Sequence, residues 1–134
     1  MIMAVLGSGT VVKFMRDITR GGLATICAEI AEGKPYGINI KEQYLPVREQ
    51  VAGLCELYGF DPLYMANEGK MMAVVDRQSA DKVIEVMQKT KTGAYAAIIG
   101  EITDSHPGRV VMQTQTGGNR VIDRLAGIQL PRIC

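Results

Sequence analysis

The sequence predicts an α+β domain with helices packed on a mixed β-sheet, and three observations carry that expectation. Apolar residues recur at helical spacing in three separate stretches: Leu23, Ile26, Cys27 and Ile30; Val47, Val51, Leu54, Cys55 and Tyr58; and Ala80, Val83, Ile84 and Met87. Short apolar runs bounded by turn residues lie between these stretches and read as strands. The resulting order is strand and helix three times over, followed by three strands, which suits helices layered on a sheet. A chain of 134 residues is long enough for one domain that buries ~65–70 % of its unfolded surface. No repeat or low-complexity segment interrupts it, so residues 1–124 are expected to form a single α+β domain and residues 125–134 a mobile tail.

Taken in order, Val11-Val12-Lys13-Phe14-Met15 is the first strand-like run. The Gly7-Ser8-Gly9 before it is no dinucleotide loop, because the third glycine is missing and the strand follows the glycines. Asp17-Ile18-Thr19-Arg20-Gly21-Gly22 then leads into the first amphipathic helix, with Thr19 as the expected N-cap and a stop near Gly33. Two glycines let another group come close to the backbone, and a helix N-terminus beside Arg20 suits phosphate or carboxylate. The same residues also read as a tight strand-to-helix turn with a solvated arginine. Gly37-Ile38-Asn39-Ile40 alternates as a short strand, and Pro46 opens a second helix whose apolar residues should face inward, with Gly59 as its stop.

Ala66-Asn67-Glu68-Gly69-Lys70 is the densest polar cluster, set before the wholly apolar run Met71-Met72-Ala73-Val74-Val75. Such a run is expected of a strand buried on both faces. Glu68, among apolar neighbours, would gain proton affinity and serve as a base, or else it and Lys70 simply solvate a turn. Ser79 should cap the third helix, Ala94–Ile99 should be another strand buried on two sides, and Gly108–Met112 with Arg120–Ile122 should form a hairpin around Thr116-Gly117-Gly118-Asn119. His106, the one histidine, lies in a turn composition, and no Cys or His stands at metal-ligand spacing, so no metal site is expected.

Composition narrows the function classes. Hydrophobic residues are 47 % and charged residues 22 % of the chain, ordinary for a soluble globular domain. Fifteen Lys and Arg against 14 Asp and Glu create no broad attraction to nucleic acid or an anionic membrane. No apolar stretch reaches the ~20 residues of a membrane span. Met1–Leu6 is apolar but too short, and without a basic leader, for a signal peptide. Three cysteines, an odd number, two of them in helical patterns, favour thiols in a reducing cytoplasm.

The last four residues, Pro131-Arg132-Ile133-Cys134, end the chain on its most nucleophilic side chain. From Asp123 to Cys134 an extended chain would span roughly 35–40 Å, enough to carry a thiol into another pocket. A frayed terminus with an incidental cysteine is the plainer reading.

Several of these motifs belong together. Met15-Arg16-Asp17-Ile18-Thr19-Arg20-Gly21-Gly22-Leu23-Ala24, Ala66-Asn67-Glu68-Gly69-Lys70, Ile99-Gly100-Glu101-Ile102, Gly117-Gly118-Asn119-Arg120-Val121-Ile122-Asp123 and Pro131-Arg132-Ile133-Cys134 follow one another in this order. From about Val11 onward, the chain resembles the carboxy-terminal half of the hydrogenase expression/formation (maturation) family HypE. That family lies in the superfamily of aminoimidazole ribonucleotide synthase and selenophosphate synthetase. The middle motifs mark the superfamily, and the cysteine-ended tail marks this branch.

The resemblance implies the fold of an aminoimidazole ribonucleotide synthase C-terminal domain and a particular chemistry. A partner carbamoyltransferase would load a carbamoyl group onto Cys134, and ATP would drive its dehydration to a thiocyanate. The cyano group would pass through a scaffold/chaperone complex to the iron of a [NiFe]-hydrogenase. Cys134 then matches the carrier, a thiolate being the right nucleophile. Glu68 matches the family's glutamate and is the candidate base, Asn67 would orient the substrate, and Asp17, Thr19, Arg20, Gly21 and Gly22 would help hold phosphate or the tail. Arg132 would offset the charge of the terminal carboxylate. Family members are about twice as long, and their N-terminal half carries most ligands for ATP and Mg2+ and the main interface of a homodimer. The isolated domain is therefore expected to be inactive. Isoleucine at position 18, where many members have proline, is a minor departure. Two other classes remain: a phosphate- or nucleotide-binding half of another ATP-dependent enzyme of the superfamily, and a non-catalytic docking domain.

Overall fold

The computed structural model describes residues 1–125, and the chain within them forms two compact units. The first comprises Met1–Asp17 and Met71–Ile98, and the second Ile18–Lys70 together with the described residues from Ile99 onward.

In the first unit, helix α1 (Ile2–Leu6) and strand β1 (Val12–Asp17) are followed, after the second unit's insertion, by β3 (Met71–Val75) and α4 (Ala80–Gln88). Strands β1 and β3 pair antiparallel from Val12↔Val75 to Asp17↔Met71, with an irregularity between Val12 and Phe14. The core is small: Val5, Val83 and Met87 are buried, with Met15, Met71 and Val75 packed against them. In β3 only Met72 is buried and its neighbours are half-buried, so the expected two-sided burial is not reached. A two-stranded ribbon has one helix-covered face, and apolarity at every position cannot say how many layers cover it. Ser79 stands at the N-cap of α4 as expected, although its side chain makes no capping hydrogen bond.

The second unit holds α2 (Gly22–Ala31), β2 (Gly37–Lys41), α3 (Glu49–Tyr58), β4 (Gly100–Thr103), β5 (Val110–Gln113) and β6 (Asn119–Ile122). Its sheet runs β4-β2-β5-β6 and is mixed: β2 and β5 are parallel, while β2–β4 and β5–β6 are antiparallel. Register opposes Ile38 to Val110, Ile40 to Met112 and Val110 to Ile122, so these five buried residues share one face. Helix α2 packs on β2 and β5 and buries Leu23, Ala24, Ile26, Cys27 and Ala31. Burial of ~100–150 Å2 for each such side chain, at ~25 cal/mol per Å2, makes this layer the unit's main source of stability. The fold class expected from sequence is therefore the one found, and the β5–β6 hairpin closes around Thr116–Asn119.

Two expected features are corrected. Ala94–Ile98 is not a strand: a 3-10 turn at Lys91–Gly93 precedes a loop in which Tyr95 and Ile98 are exposed, and the ladder starts at Gly100. The N–H of Ala96 donates to the carbonyl of Gly93 at 2.9 Å and its carbonyl accepts from Gln88 Nε2 at 3.0 Å, so local bonds occupy the middle of this apolar run in place of a ladder. Helix α3 buries only Cys55; Val51, Leu54, Leu57 and Tyr58 are exposed, as is the preceding Val47. The periodicity there marks an apolar stripe correctly but not what covers it. Gly59 ends α3 in the left-handed conformation, as its type suggests. Among the described residues no helix is long and apolar enough to cross a membrane.

Candidate functional site

Two turns of the second unit are brought together by backbone hydrogen bonds at Ile18. The N–H of Ile18 donates to the carbonyl of Lys70 at 2.9 Å, and the N–H of Asn67 donates to the carbonyl of Ile18 at 2.8 Å. The segment Thr19-Arg20-Gly21-Gly22 and the turn Asn67–Lys70 therefore flank one residue, although about 50 positions separate them in sequence. Of the residues singled out from sequence, Thr19, Arg20, Gly21, Gly22, Asn67 and Glu68 lie in these two segments. Asp17 lies in the first unit, exposed at the end of β1 opposite Met71. Arg132 and Cys134 lie outside the described residues.

The start of α2 differs from the expectation. Its N-cap is Gly21, in the left-handed conformation with φ near 70°, and no side chain caps the helix. Thr19 is two residues too early to do so, because both glycines adopt positive φ and move the first helical turn forward. A Cβ on Gly22 would lie 2.3 Å from the carbonyl oxygen of Leu63 and 2.9 Å from that of Met65. The group that comes close to this glycine is thus the chain's own 3-10 turn, Pro62–Tyr64. Over Gly21 the corresponding space is taken by the side chain of Thr25. The described residues therefore build no nucleotide cradle at the glycines. What remains available is the set of early amides of α2, which precede its hydrogen-bond ladder, and the exposed Arg20 beside them.

Glu68 is exposed at the tip of its turn, so the apolar surroundings expected for it are absent. Gly69, with φ near 76°, makes the reversal that carries the chain from Glu68 into β3. Asn67 is half-buried, and its side-chain N–H donates to the carbonyl of Met65 at 2.7 Å. That bond fixes the amide against the same 3-10 turn that packs on Gly22. The two turns carry a carboxylate at Glu68, a carboxamide at Asn67 and a guanidinium at Arg20, and the helix start beside Arg20 has no side-chain cap.

The two other cysteines contribute no reactive thiol. Cys27 and Cys55 are buried, and burial pushes the Cys27 thiol up to about 12. A cavity of about 390 Å3 lined by Asp76, Arg77, Gln78 and Ser79 belongs to the first unit and contains none of the predicted residues. Sequence reasoning missed Thr25, Asp61 and Tyr64. Thr25 carried no signal within its helical pattern, and the roles of the other two depend on partners about 60 residues away.

A mixed-sheet unit with a glycine-started helix beside a polar turn defines a class, and comparison with known families agrees. Residues 1–113 match the family described as AIR synthase related protein, C-terminal domain, and the chain belongs to that family. Within it, the chain is similar to carbamoyl dehydratase HypE of Rhodobacter capsulatus, with 43 % identity over 130 residues, 97 % of this chain and 38 % of that protein. It is also similar to a solved structure of hydrogenase maturation protein HypE in complex with ATP, with 40 % identity and a TM-score of 0.86, covering 97 % of this chain and 40 % of that one. The HypE chain of a HypE–HypF complex gives 42 % identity and a TM-score of 0.85, covering 92 % of this chain and 40 % of the other. The chain thus spans about two fifths of the length of the relatives it matches.

Proposed function

We propose that this chain is the cysteine-bearing part of an ATP-dependent carbamoyl dehydratase that serves [NiFe]-hydrogenase maturation. The observation that carries the reading is the meeting of the Thr19–Gly22 and Asn67–Glu68 segments in a chain 43 % identical to a protein named carbamoyl dehydratase. In this reading Cys134 is the carrier. Its sulfur bonds to the carbamoyl carbon as the donor's leaving group departs, giving a thiocarboxamide. Dehydration removes the elements of water from S–CO–NH2 to leave S–C≡N, and ATP supplies the activation that turns the amide oxygen into a leaving group. Glu68, exposed in its turn, accepts a proton from the nitrogen, and Asn67, its N–H held by Met65, orients the amide through its side-chain oxygen. Arg20 and the first amides of α2 hold negative charge beside Thr19, and Asp17 and Arg132 remain candidate binding residues.

Because the glycine positions are filled by the chain's own groups, ATP and Mg2+ are assigned chiefly to an N-terminal half, as are the homodimer contacts. A similar chain solved with ATP and another solved with HypF support a nucleotide and a protein partner. The partner required by this chemistry is a carbamoyltransferase, followed by a scaffold complex that accepts cyanide, all in the cytoplasm.

Mass spectrometry of the C-terminal peptide tests the reading, after incubation with the N-terminal half, the carbamoyltransferase, carbamoyl phosphate and ATP. A carbamoyl or cyano adduct on Cys134 that disappears in Cys134→Ala supports it. An unmodified thiol, with a HypE relative modified in parallel, leaves a docking domain. Glu68→Gln should accumulate the carbamoyl form, and a near-normal yield of the cyano form in that variant removes Glu68 as the base.

A further inference from the structure

The six residues that lead from β6 towards the C-terminus are tied down at four points, and each tie goes to α2 or to the turn packed on its first residue. Arg120 donates to a carboxylate oxygen of Asp61, whose other oxygen accepts the N–H of Leu63 at 2.9 Å and so caps the 3-10 turn. The hydroxyl of Tyr64, in that turn, donates to the carbonyl of Asp123 at 3.1 Å. Arg124 forms an ion pair with Glu32, the residue that closes α2. The N–H of Leu125 points to Thr25 Oγ1 at 3.4 Å, the same oxygen that fills the space over Gly21.

These contacts add little to folding stability, because both partners of the Arg124–Glu32 pair are about half exposed and such pairs are worth ~0–1 kcal/mol. Their shared property is position. Two of the four go to the turn packed on the first residue of α2, one to Thr25 in its first turn and one to Glu32 at its far end, so one short stretch of chain is held along this helix.

We propose that residues 120–125 form a clamp that fixes the root of the cysteine-ended arm beside the N-terminus of α2, with Thr25 and Tyr64 as positioning residues for Cys134. The proposal rests on the carrier reading above and deepens it. Cys134 lies nine positions after Leu125, so the thiol works within roughly 30 Å of Thr25. Releasing Asp123, Arg124 and Leu125 moves the root back to Ile122 and extends that radius to roughly 40 Å. Effective concentration at a fixed site falls with tether length and with loss of direction. Loading by a partner is a bimolecular step at the arm's end and does not need the root fixed. Return of the loaded thiol to its own chain's site does.

Tyr64→Phe and Thr25→Val remove one oxygen each while keeping shape, and the double variant should fold normally. Two measurements test the clamp on the protein with its N-terminal half. Tryptic cleavage at the Arg124–Leu125 bond should be at least tenfold faster in the double variant than in the unaltered protein. Under the reconstituted reaction, carbamoyl loading of Cys134 should be unchanged while conversion to the cyano form slows at least twofold, and Tyr64→Phe should lie between. A clamp with a merely structural role would slow both steps equally, and that result overturns the proposal. So does unchanged cleavage or unchanged conversion. Absence of any adduct in the unaltered protein would instead overturn the carrier reading, while the cleavage measurement would still judge the clamp.

Discussion

Replacing Gly22 by alanine should be among the most damaging single changes in the second unit, and its cost can be worked from the geometry. The residue has φ near 66°, where an alanine pays ~1–2 kcal/mol for its Cβ. The new atom would also sit 2.3 Å from the oxygen of Leu63 and 2.7 Å from the carbonyl carbon of Tyr64, both backbone, so no rotamer change relieves it. Pushing the 3-10 turn away is an overpacking penalty of ~1–3 kcal/mol. The sum, ~2–5 kcal/mol, is a large part of the ~5–15 kcal/mol that stabilises an ordinary domain. Gly33 supplies the control: its φ is near 67° and nothing lies within 4 Å of an added Cβ, so Gly33→Ala should cost only the conformational part. Urea unfolding of the two variants separates these contributions, with Gly22→Ala losing ~1–2 M in midpoint at unchanged slope. If the two variants unfold at the same midpoint, the close packing of residues 63–65 on α2 is wrong, and with it the support for the adjoining site.

Three further outcomes follow from other parts of the molecule. Burial raises the Cys27 thiol from 9.0 to about 12, so its neutral form is favoured in the fold; this contribution is complete below pH 9 and is lost as pH rises from 9 towards 12, at ~1.4 kcal/mol per pH unit. Guanidinium unfolding across that range should show the slope, and a parallel curve for Cys27→Ala would exclude the assignment. On α3, Leu57→Lys should change stability by no more than ~0.5 kcal/mol because Leu57 is 75 % exposed, whereas Cys55→Asp, at a site 3 % exposed, should cost at least ~2 kcal/mol; equal thermal midpoints would mean that α3 is covered differently. Hydrogen bonding to Lys89, aided by its charge, holds the Glu85 carboxyl below the usual carboxylate range, so Lys89→Met should raise the Glu85 titration midpoint seen by carbon NMR.

Much of the local structure was legible from residue type and spacing. The stripe at Leu23, Ile26 and Cys27 became the buried face of α2, Gly59 stopped α3, and the glycines after Thr116 turned the β5–β6 hairpin. The apolar stripe of α3 was legible as a stripe but misread as core. The run Ala94–Ile99 was misread as a strand, since a few apolar residues cannot reveal whether a partner strand is free to pair with them. At the candidate site, Asn67 and Glu68 were recognisable as a polar turn ahead of a strand, and Arg20 to Gly22 as a helix entry. Their adjacency was not recognisable.

By itself, the sequence determined what depends on neighbours within a turn or two: helical and alternating periods, stops at glycine, the hairpin, and the motifs that resemble one family. Only the tertiary structure decided which segments meet. The pinning of Asn67 to Ile18, the close approach of residues 63–65 to Gly22 and the bond from Tyr64 to Asp123 join positions about 40–60 residues apart. Each depends on where the rest of the fold brings the two segments: the first is a backbone bond open to almost any residue type, and the other two need only a glycine or a tyrosine hydroxyl whose distant partner its own neighbours do not name. No pattern of side chains along the chain encodes it.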